Sequence, residues 1–246
     1  MEKTSCPELN KLLDAKNKEL FDFVSTRVPI SVCYGTENNY GVFQRNNKAV
    51  IYIPKDNYSP DSFAHELLHV LLSTYGVNIG ASIKLQKNES KHLSLVISDT
   101  LADHITNVLE HRKMFPRYIA LGYDRMNFLS DASSPVLTNE EVSQLRMMFK
   151  TGRFFHQRIN PAAVDFFIGK YLAAKGACIG VFDYSLLLSE MKRIEPGLCA
   201  IIDTLLSRWD LYDETKEGDI ASDSYICIAY DFLNDIGEWV KHHKIA

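Results

Sequence analysis

The order of apolar and polar residues predicts one helix and then a β-rich region in the first quarter of the chain. Residues 8–26 place leucines and other apolar side chains three and four positions apart, which is helical spacing. Segments 29–34, 40–44 and 49–53 are short and contain β-branched and aromatic residues, which favour strands. The polar residues 45–48 join the last two segments, so we expect a hairpin there.

The second predicted helix follows a loop. Ser59 suits the capping position, Pro60 suits the first turn, and the apolar periodicity then continues to about Tyr75. Gly76 is a typical helix stop. Residues 77–90 lack a clear period, and we expect a loop there.

The rest of the chain is predicted to be mainly helical. A long helix is expected from about Ser90 to Met114, with Pro116 ending it. Further helices are expected near residues 138–156, 161–175, 184–194, 197–209 and 222–243. If the chain divides, we expect the division in the loop-like stretch 128–137, with an α+β region at 1–127 and a helical region at 128–246. One continuous domain is the alternative.

Composition limits the partners and the compartment. The chain has 246 residues, 46% hydrophobic and 24% charged, which is typical of globular proteins. A formal net charge of −4 argues against nucleic acid or an anionic membrane as the main partner. No apolar run approaches the roughly 20 residues that span a bilayer, and the polar N-terminal sequence is unlike a secretory signal. The five cysteines are far apart, which predicts free thiols in a reducing compartment and hence a cytoplasmic protein.

The second predicted helix contains His65-Glu66-Leu67-Leu68-His69, an HExxH sequence. Residues four positions apart lie on one face of a helix, so His65 and His69 can bind one Zn²⁺ ion. Glu66 lies beside them, where it can accept a proton from a water molecule that the metal has acidified. Two histidines and a glutamate on an ordinary surface helix are the simpler alternative.

Catalytic zinc needs a third protein ligand, which we looked for on the predicted helix 90–114. Its polar face offers five residues with suitable chemistry: Asp99, Asp103, Asn107, Glu110 and His111. Asp103 is the preferred ligand, with Asn107 holding another ligand through a hydrogen bond. The alternatives are Asp99 as ligand with Asp103 orienting a histidine, or Glu110, or His111. A solvated polar face would explain the same pattern.

The order of hairpin, HExxH helix and second helix with an acidic ligand resembles the gluzincin-like peptidases, and more narrowly the ImmA/IrrE type of cytoplasmic bacterial peptidase. In that family the second helix contains a pattern close to E-x-x-x-N, with a proline nine residues later. Asp103-x-x-x-Asn107 and Pro116 are similar, with Asp in place of Glu. The resemblance covers roughly residues 28–120. It implies a zincin-like core, Glu66 as general base, and Asp103 as third ligand beside the two motif histidines.

The sequence therefore predicts a zinc-dependent metallopeptidase that hydrolyses a protein or peptide substrate. One alternative is a catalytically inactive, zincin-like regulatory or protein-binding module. Another is a protease effector in a stress or phage response, and a third is a helical interaction protein in which HExxH is accidental. The sequence makes no prediction of oligomeric state.

Further residues are candidates for lesser roles. Tyr123, His156 and Arg158 are candidates to stabilise a tetrahedral oxyanion. The predicted loop 77–90 is a candidate to cover the open metal position. The acidic segment 210–219 is expected to be a solvated loop, and we expect the pair of histidines at 242 and 243 to be a helix end rather than a metal site.

Overall fold

A computed structural model of the chain describes residues 7–154, 159–216 and 224–243, with the side chains of 150–154 left out. The described residues form an α+β fold with a small sheet and ten α-helices. The strands are β1 (Ile30–Tyr34), β2 (Gly41–Arg45) and β3 (Lys48–Ile53). The helices are α1 (Lys18–Ser25), α2 (Pro60–Thr74), α3 (Ile79–Glu89), α4 (Lys91–Val96), α5 (Asp99–Ala120), α6 (Asn139–Phe154), α7 (Pro161–Gly176), α8 (Ser185–Ile194), α9 (Pro196–Leu211) and α10 (Tyr225–His242).

The chain divides into two compact units. Unit 1 comprises Met1–Val77 with Lys113–Ala132, and unit 2 comprises Asn78–Arg112 with Ser133–Ala246. One division point falls inside α5, so this continuous helix belongs in part to each unit. The predicted stretch 128–137 contains another division point, and the segment 78–112 groups with the C-terminal half.

The sheet of unit 1 has the strand order β1-β3-β2. β2 and β3 pair antiparallel and form the predicted hairpin, whose turn residues Asn46 and Asn47 have positive φ angles of 51° and 55°. Asparagine tolerates this left-handed conformation, which tight hairpin turns require. β1 pairs with β3 in parallel. The inner face of β3 presents Ile51 and Ile53, which are fully buried in one cluster with Phe63 of α2.

Helix α2 confirms the start and stop predicted from the sequence. The Ser59 side chain accepts a hydrogen bond from the Ser62 backbone N–H at 3.2 Å, and Pro60 occupies the first helical position. Gly76 has φ +76°, a conformation that suits glycine just beyond a helix. The buried side of α2, including Phe63 and Leu67, packs into the core of unit 1.

Unit 2 is built from helices. α10 contacts α3, α4 and α9, while α7 contacts α4, α6, α8 and α9. Large side chains fill its core, among them Trp209, Tyr171, Phe149 and Phe167, all under 2% exposed. The five helices predicted beyond Gly122 are confirmed within a few residues at each end.

Three predicted segments have a different secondary structure. Residues 8–26 form a 3₁₀ turn at Leu9–Lys11 and a helix only from Lys18, because Asp14 and Asn17 hydrogen-bond backbone N–H groups between the two. Most of the predicted loop 77–90 is α3, which Asn78 caps. The predicted long helix is two helices separated near Ser98.

The same region contains a proline inside a helix. Pro116 was expected to end the predicted helix, but α5 continues through it to Ala120. Proline removes one backbone hydrogen bond, and the remaining bonds and the packing of α5 keep the helix intact. In the described part of the chain, no helix combines the length and the apolar character needed to cross a membrane.

Candidate metal centre

Helix α2 places the two histidines of the HExxH sequence side by side. Because they are four residues apart, the rings of His65 and His69 lie on one face of the helix, with centroids 5.1 Å apart and an interplanar angle of 62°. The opposite side of α2 is buried in the core, which fixes the rotation of the helix. Both histidines of this face are half-buried.

A third histidine joins them from α5. His65, His69 and His111 each offer a ligand nitrogen, and these atoms all lie within 4.8 Å of one another. His111 stands two residues before Lys113, where the uninterrupted helix α5 enters unit 1. All three side chains are half-buried.

The donor set fits a zinc ion. Three imidazole nitrogens with one open position form one of the ligand sets of catalytic zinc. Nitrogens bound at about 2.0–2.1 Å to a tetrahedral ion are about 3.3 Å apart, so donors within 4.8 Å need only small side-chain rotations to converge. Imidazole also suits copper, iron and nickel, so the ligands alone do not select one metal.

The surroundings of His65 keep its imidazole neutral. Burial, with the neighbouring His69 as the smaller cause, lowers the pKa of His65 to about 3. A hydrogen bond to the Phe128 backbone opposes this shift. Metal ligation requires the neutral ring, so His65 is in the binding form at any pH near neutrality. A hydrogen bond on one ring nitrogen also leaves the other nitrogen to face a metal.

An aromatic layer supports His65 from within unit 1. The Phe128 ring lies 4.8 Å from the His65 ring, measured between centroids. Phe128 in turn contacts Phe115 and Tyr118, each at 5.1 Å with an edge-to-face geometry. Such contacts restrict the orientations that the imidazole can adopt.

Glu66 is the one acidic residue of the HExxH sequence, and it is only 7% exposed. Burial raises the pKa of its carboxyl group, and the nearby His69 partly opposes the shift. A carboxylate with a raised pKa holds a proton more strongly and is a better general base than an exposed glutamate. The environment of Glu66 thus suits proton transfer.

The acidic residues predicted as third ligand lie elsewhere. The Asp103 carboxylate forms an ion pair with Lys84 Nζ at 2.5 Å, and Asp99 pairs with Lys87. Asp103 precedes His111 by eight residues, which is about 12 Å along the helix axis. The three-residue group therefore contains His111, one of the alternatives, and Asp103 is not part of it. Asn107 is exposed on the same helix.

The other candidate residues have separate positions. The Tyr123 hydroxyl donates a hydrogen bond to Asp14 at 2.8 Å, so its proton is already engaged. His156 and Arg158 lie outside the described residues. The segment 77–90 is mainly helix α3 of unit 2.

The segments near the C-terminus also have ordinary structural roles. His243 stacks on Trp239, and one of its ring nitrogens lies 2.7 Å from the Trp239 carbonyl oxygen at the end of α10. Asp210 pairs with Arg112, and the last three residues of the acidic segment 210–219 are outside the described residues.

Two features of the centre have only a weak signal in the sequence. His111 was one of five polar residues on the predicted helix, and only its distance from the two motif histidines distinguishes it. Phe128 lies in a predicted loop, more than sixty positions from His65, and nothing local connects the two. A histidine on the helix after the HExxH sequence is itself a signal for a third ligand, because imidazole binds zinc as readily as a carboxylate does.

Comparison with known proteins gives no further guide: no family model, no curated protein and no solved structure matches this chain. Function is therefore inferred from the site itself.

Proposed function

We propose that this protein is a zinc-dependent metallopeptidase with His65, His69 and His111 as metal ligands and Glu66 as general base. The single observation behind the proposal is the convergence of the three imidazoles within 4.8 Å, two of them flanking a buried glutamate on one helix. Three histidines leave one position of a tetrahedral ion open, as a catalytic site requires.

The proposed roles follow from the chemistry of each group. A zinc ion at this position supplies Lewis acidity and lowers the pKa of water toward about 7. Glu66 accepts the proton of the attacking water, which its raised pKa favours, and then delivers it to the leaving amine. Phe128 and its backbone hold the His65 ring in the orientation that ligation needs.

A protein or peptide substrate is proposed because HExxH is used most often for peptide bonds. The proposed third ligand differs from the acidic residue that the resemblance to ImmA/IrrE-type peptidases implies. A zincin-like core is supported by the sheet next to α2 and by α5 as a second ligand-bearing helix. We propose the reaction class without a family-specific role.

The metal site can be tested by measuring zinc in purified wild type, His111→Ala and Asp103→Ala by plasma mass spectrometry. We expect about one zinc per chain in wild type and in Asp103→Ala, and loss of zinc in His111→Ala. Asp103→Ala is the matched control, because it removes a polar side chain from the same helix. Loss of zinc in Asp103→Ala alone would reinstate the acidic ligand.

The activity is tested with Glu66→Gln, which keeps the size of the side chain and removes its basicity. We expect zinc content to stay the same and hydrolysis of a quenched fluorescent peptide mixture to fall by about 10²–10⁴-fold. If wild type binds zinc but Glu66→Gln hydrolyses peptides equally well, Glu66 is not the base. If wild type binds zinc and hydrolyses no peptide, the non-catalytic binding module replaces the peptidase.

A further inference from the structure

A groove of about 340 Å³ lies in unit 1 at the end of the sheet where β2 begins. Four aromatic residues line it, Tyr34, Tyr40, Phe43 and Tyr52. Among the described residues that line the groove, Glu37 alone is charged. The volume is at the lower end of the range for small-ligand sites, and it suits one large side chain.

Two of the aromatic rings are fixed by their hydroxyl groups. The hydroxyls of Tyr34 and Tyr58 share a hydrogen bond of 2.6 Å. Tyr40 donates to the Asn57 carbonyl at 2.7 Å and accepts from the Ser59 backbone N–H at 2.8 Å. With their hydroxyls engaged, these two tyrosines offer mainly ring surface to the groove.

The other two rings are open to solvent on the outer face of the sheet. Phe43 is 55% exposed and Tyr52 is 40% exposed. Phe43 is paired with Val50, and Tyr52 with Gly41, so both alternate with the buried Ile51. Exposed aromatic rings beside a groove are typical of a ligand-binding or protein-binding surface.

The residues that line the groove favour a cationic ligand. Aromatic faces attract cations through the negative charge of the ring face, and a carboxylate adds a full opposite charge. Glu37 forms no ion pair with any described basic side chain, so none of these side chains neutralises its charge. An arginine guanidinium can stack on a ring while it contacts a carboxylate, and a lysine ammonium can make the same two contacts less specifically.

We propose that this groove binds the cationic side chain of an arginine or lysine residue in a peptide. Its use for substrate recognition rests on the proposed peptidase function, whereas the binding itself does not.

Strand β2 connects the groove to the candidate metal centre. Gln44, one residue after Phe43, donates from Nε2 to the His69 carbonyl oxygen at 3.4 Å and accepts a hydrogen bond from Ser73. A strand rises about 3.4 Å per residue, so Gly41 lies about 10 Å along β2 from Gln44. The groove and the residue that contacts the His69 backbone therefore belong to one strand of unit 1.

Binding can be measured with N-acetyl-arginine methylamide and its near-isosteric neutral analogue, N-acetyl-citrulline methylamide. The full-length Glu66→Gln variant is used, so that the result does not depend on hydrolysis. We expect the arginine probe to shift the backbone NMR signals of residues 34–43 and 52, and to bind at least about fivefold more tightly than the citrulline probe. Equal binding of the two probes, or shifts elsewhere only, would overturn the proposal.

Two further variants test the groove itself. Glu37→Gln should remove most of the preference for arginine, whereas Glu19→Gln, which removes an exposed carboxylate of α1, should not. Gly41→Leu should block both probes, because Gly41 lines the groove and a Cβ there meets no atom within 4 Å, so a larger side chain can extend into the open space. Unchanged arginine binding in Glu37→Gln or in folded Gly41→Leu would contradict the assignment.

The outcomes separate the two proposals. Arginine binding that depends on Glu37, in a protein that hydrolyses no peptide, would preserve the groove and reject the peptidase. Peptide hydrolysis that depends on Glu66, with no preference for arginine over citrulline in binding, would preserve the peptidase and reject the groove.

Discussion

At the scale of single residues, the candidate centre depends on how His65 is oriented. Its ring lies against Phe128 and also hydrogen-bonds the Phe128 backbone, so one loop residue restrains the ring in two ways. Phe128 is almost fully buried beside Phe115 and Tyr118. The restraint is therefore built into the core of unit 1.

Replacing Phe128 by leucine should weaken metal binding while keeping the backbone hydrogen bond. An aromatic pair is worth about 0.5–1.5 kcal/mol beyond its buried area, which corresponds to roughly a twofold to tenfold loss of zinc affinity in Phe128→Leu. Zinc affinity is measured by competition with a chromophoric chelator. Phe149→Leu is the matched control, because Phe149 is a buried ring of unit 2 that pairs with Phe167 at 5.3 Å. Equal losses in both variants would show that the effect is not local.

We expect His104 of α5 to make the stability of the metal-free protein depend on pH. Burial lowers its pKa below the ordinary 6.5, with the charge of Lys170 as a smaller cause, while a hydrogen bond to the Gly169 backbone opposes the shift. Below pH 6.5 the unfolded chain protonates this histidine more than the folded chain does, so stability is lost as pH falls. His104→Gln should reduce the drop in melting temperature between pH 7.5 and pH 5.

The control for this experiment is His92→Gln, which replaces an exposed histidine of α4. Its drop in melting temperature should match that of wild type. Part of the drop will remain in His104→Gln, since the pKa of His65 is also lowered, to about 3. A drop of the same size in His104→Gln and in wild type would contradict the predicted role of His104.

The sequence places the motif residues on one helix face, but it leaves His111 as one of several candidates for the third ligand. His65, Glu66 and His69 follow from spacing within one helix, which is a local property. Asp103 and His111 occupy one polar face, and the choice between them depends on how far along α5 the other two histidines lie. Lys84 and Lys87, which pair with Asp103 and Asp99, belong to a helix that the sequence pattern did not predict.

At the scale of elements, α2 was predictable because three local signals agree. A capping serine, a proline at the first position and a glycine beyond the end mark the same helix. α3 lacks such agreement, since its periodicity is weak and packing against α10 and α4 determines its structure. Tertiary contacts can override weak local preference in this way.

Proline inside α5 leads to a prediction about stability. Pro116 provides no N–H for the carbonyl of Arg112 and is exposed. Proline in a helix interior is about 3 kcal/mol less favourable than alanine. Proline also lowers the conformational entropy of the unfolded chain, which offsets up to about 1 kcal/mol of this cost. Pro116→Ala should therefore raise the free energy of unfolding by about 2 kcal/mol, measured by urea denaturation.

Pro161→Ala is the matched control. Pro161 stands at the first position of α7, where no backbone N–H bond is needed and proline fits. Its replacement should lower the free energy of unfolding by about 0.4–1 kcal/mol. A loss of stability in Pro116→Ala would mean that the shape given to α5 by the proline is needed for packing.

At the scale of the whole molecule, neither unit is continuous in sequence. The segment Asn78–Arg112 lies early in the chain but belongs with the helices after Ser133. The second segment of unit 1 begins at Lys113. Local patterns cannot show such grouping, because it depends on contacts between residues far apart in sequence. For this reason the predicted division into 1–127 and 128–246 places α3 and α4 with the N-terminal region, whereas they group with the C-terminal helices.

The grouping predicts that the N-terminal half does not fold alone. A fragment of residues 1–132 lacks α10 and α7, which in the whole protein contact α3 and α4 and help to bury Ile83, Leu93 and Val96. We expect the fragment to bind a hydrophobic dye and to melt without cooperativity, by fluorescence and circular dichroism. Ile83→Glu should reduce dye binding by the fragment, whereas in the full chain it buries a charge and should increase dye binding. A cooperative melt of the unmodified fragment without dye binding would show that 78–112 needs no C-terminal partner.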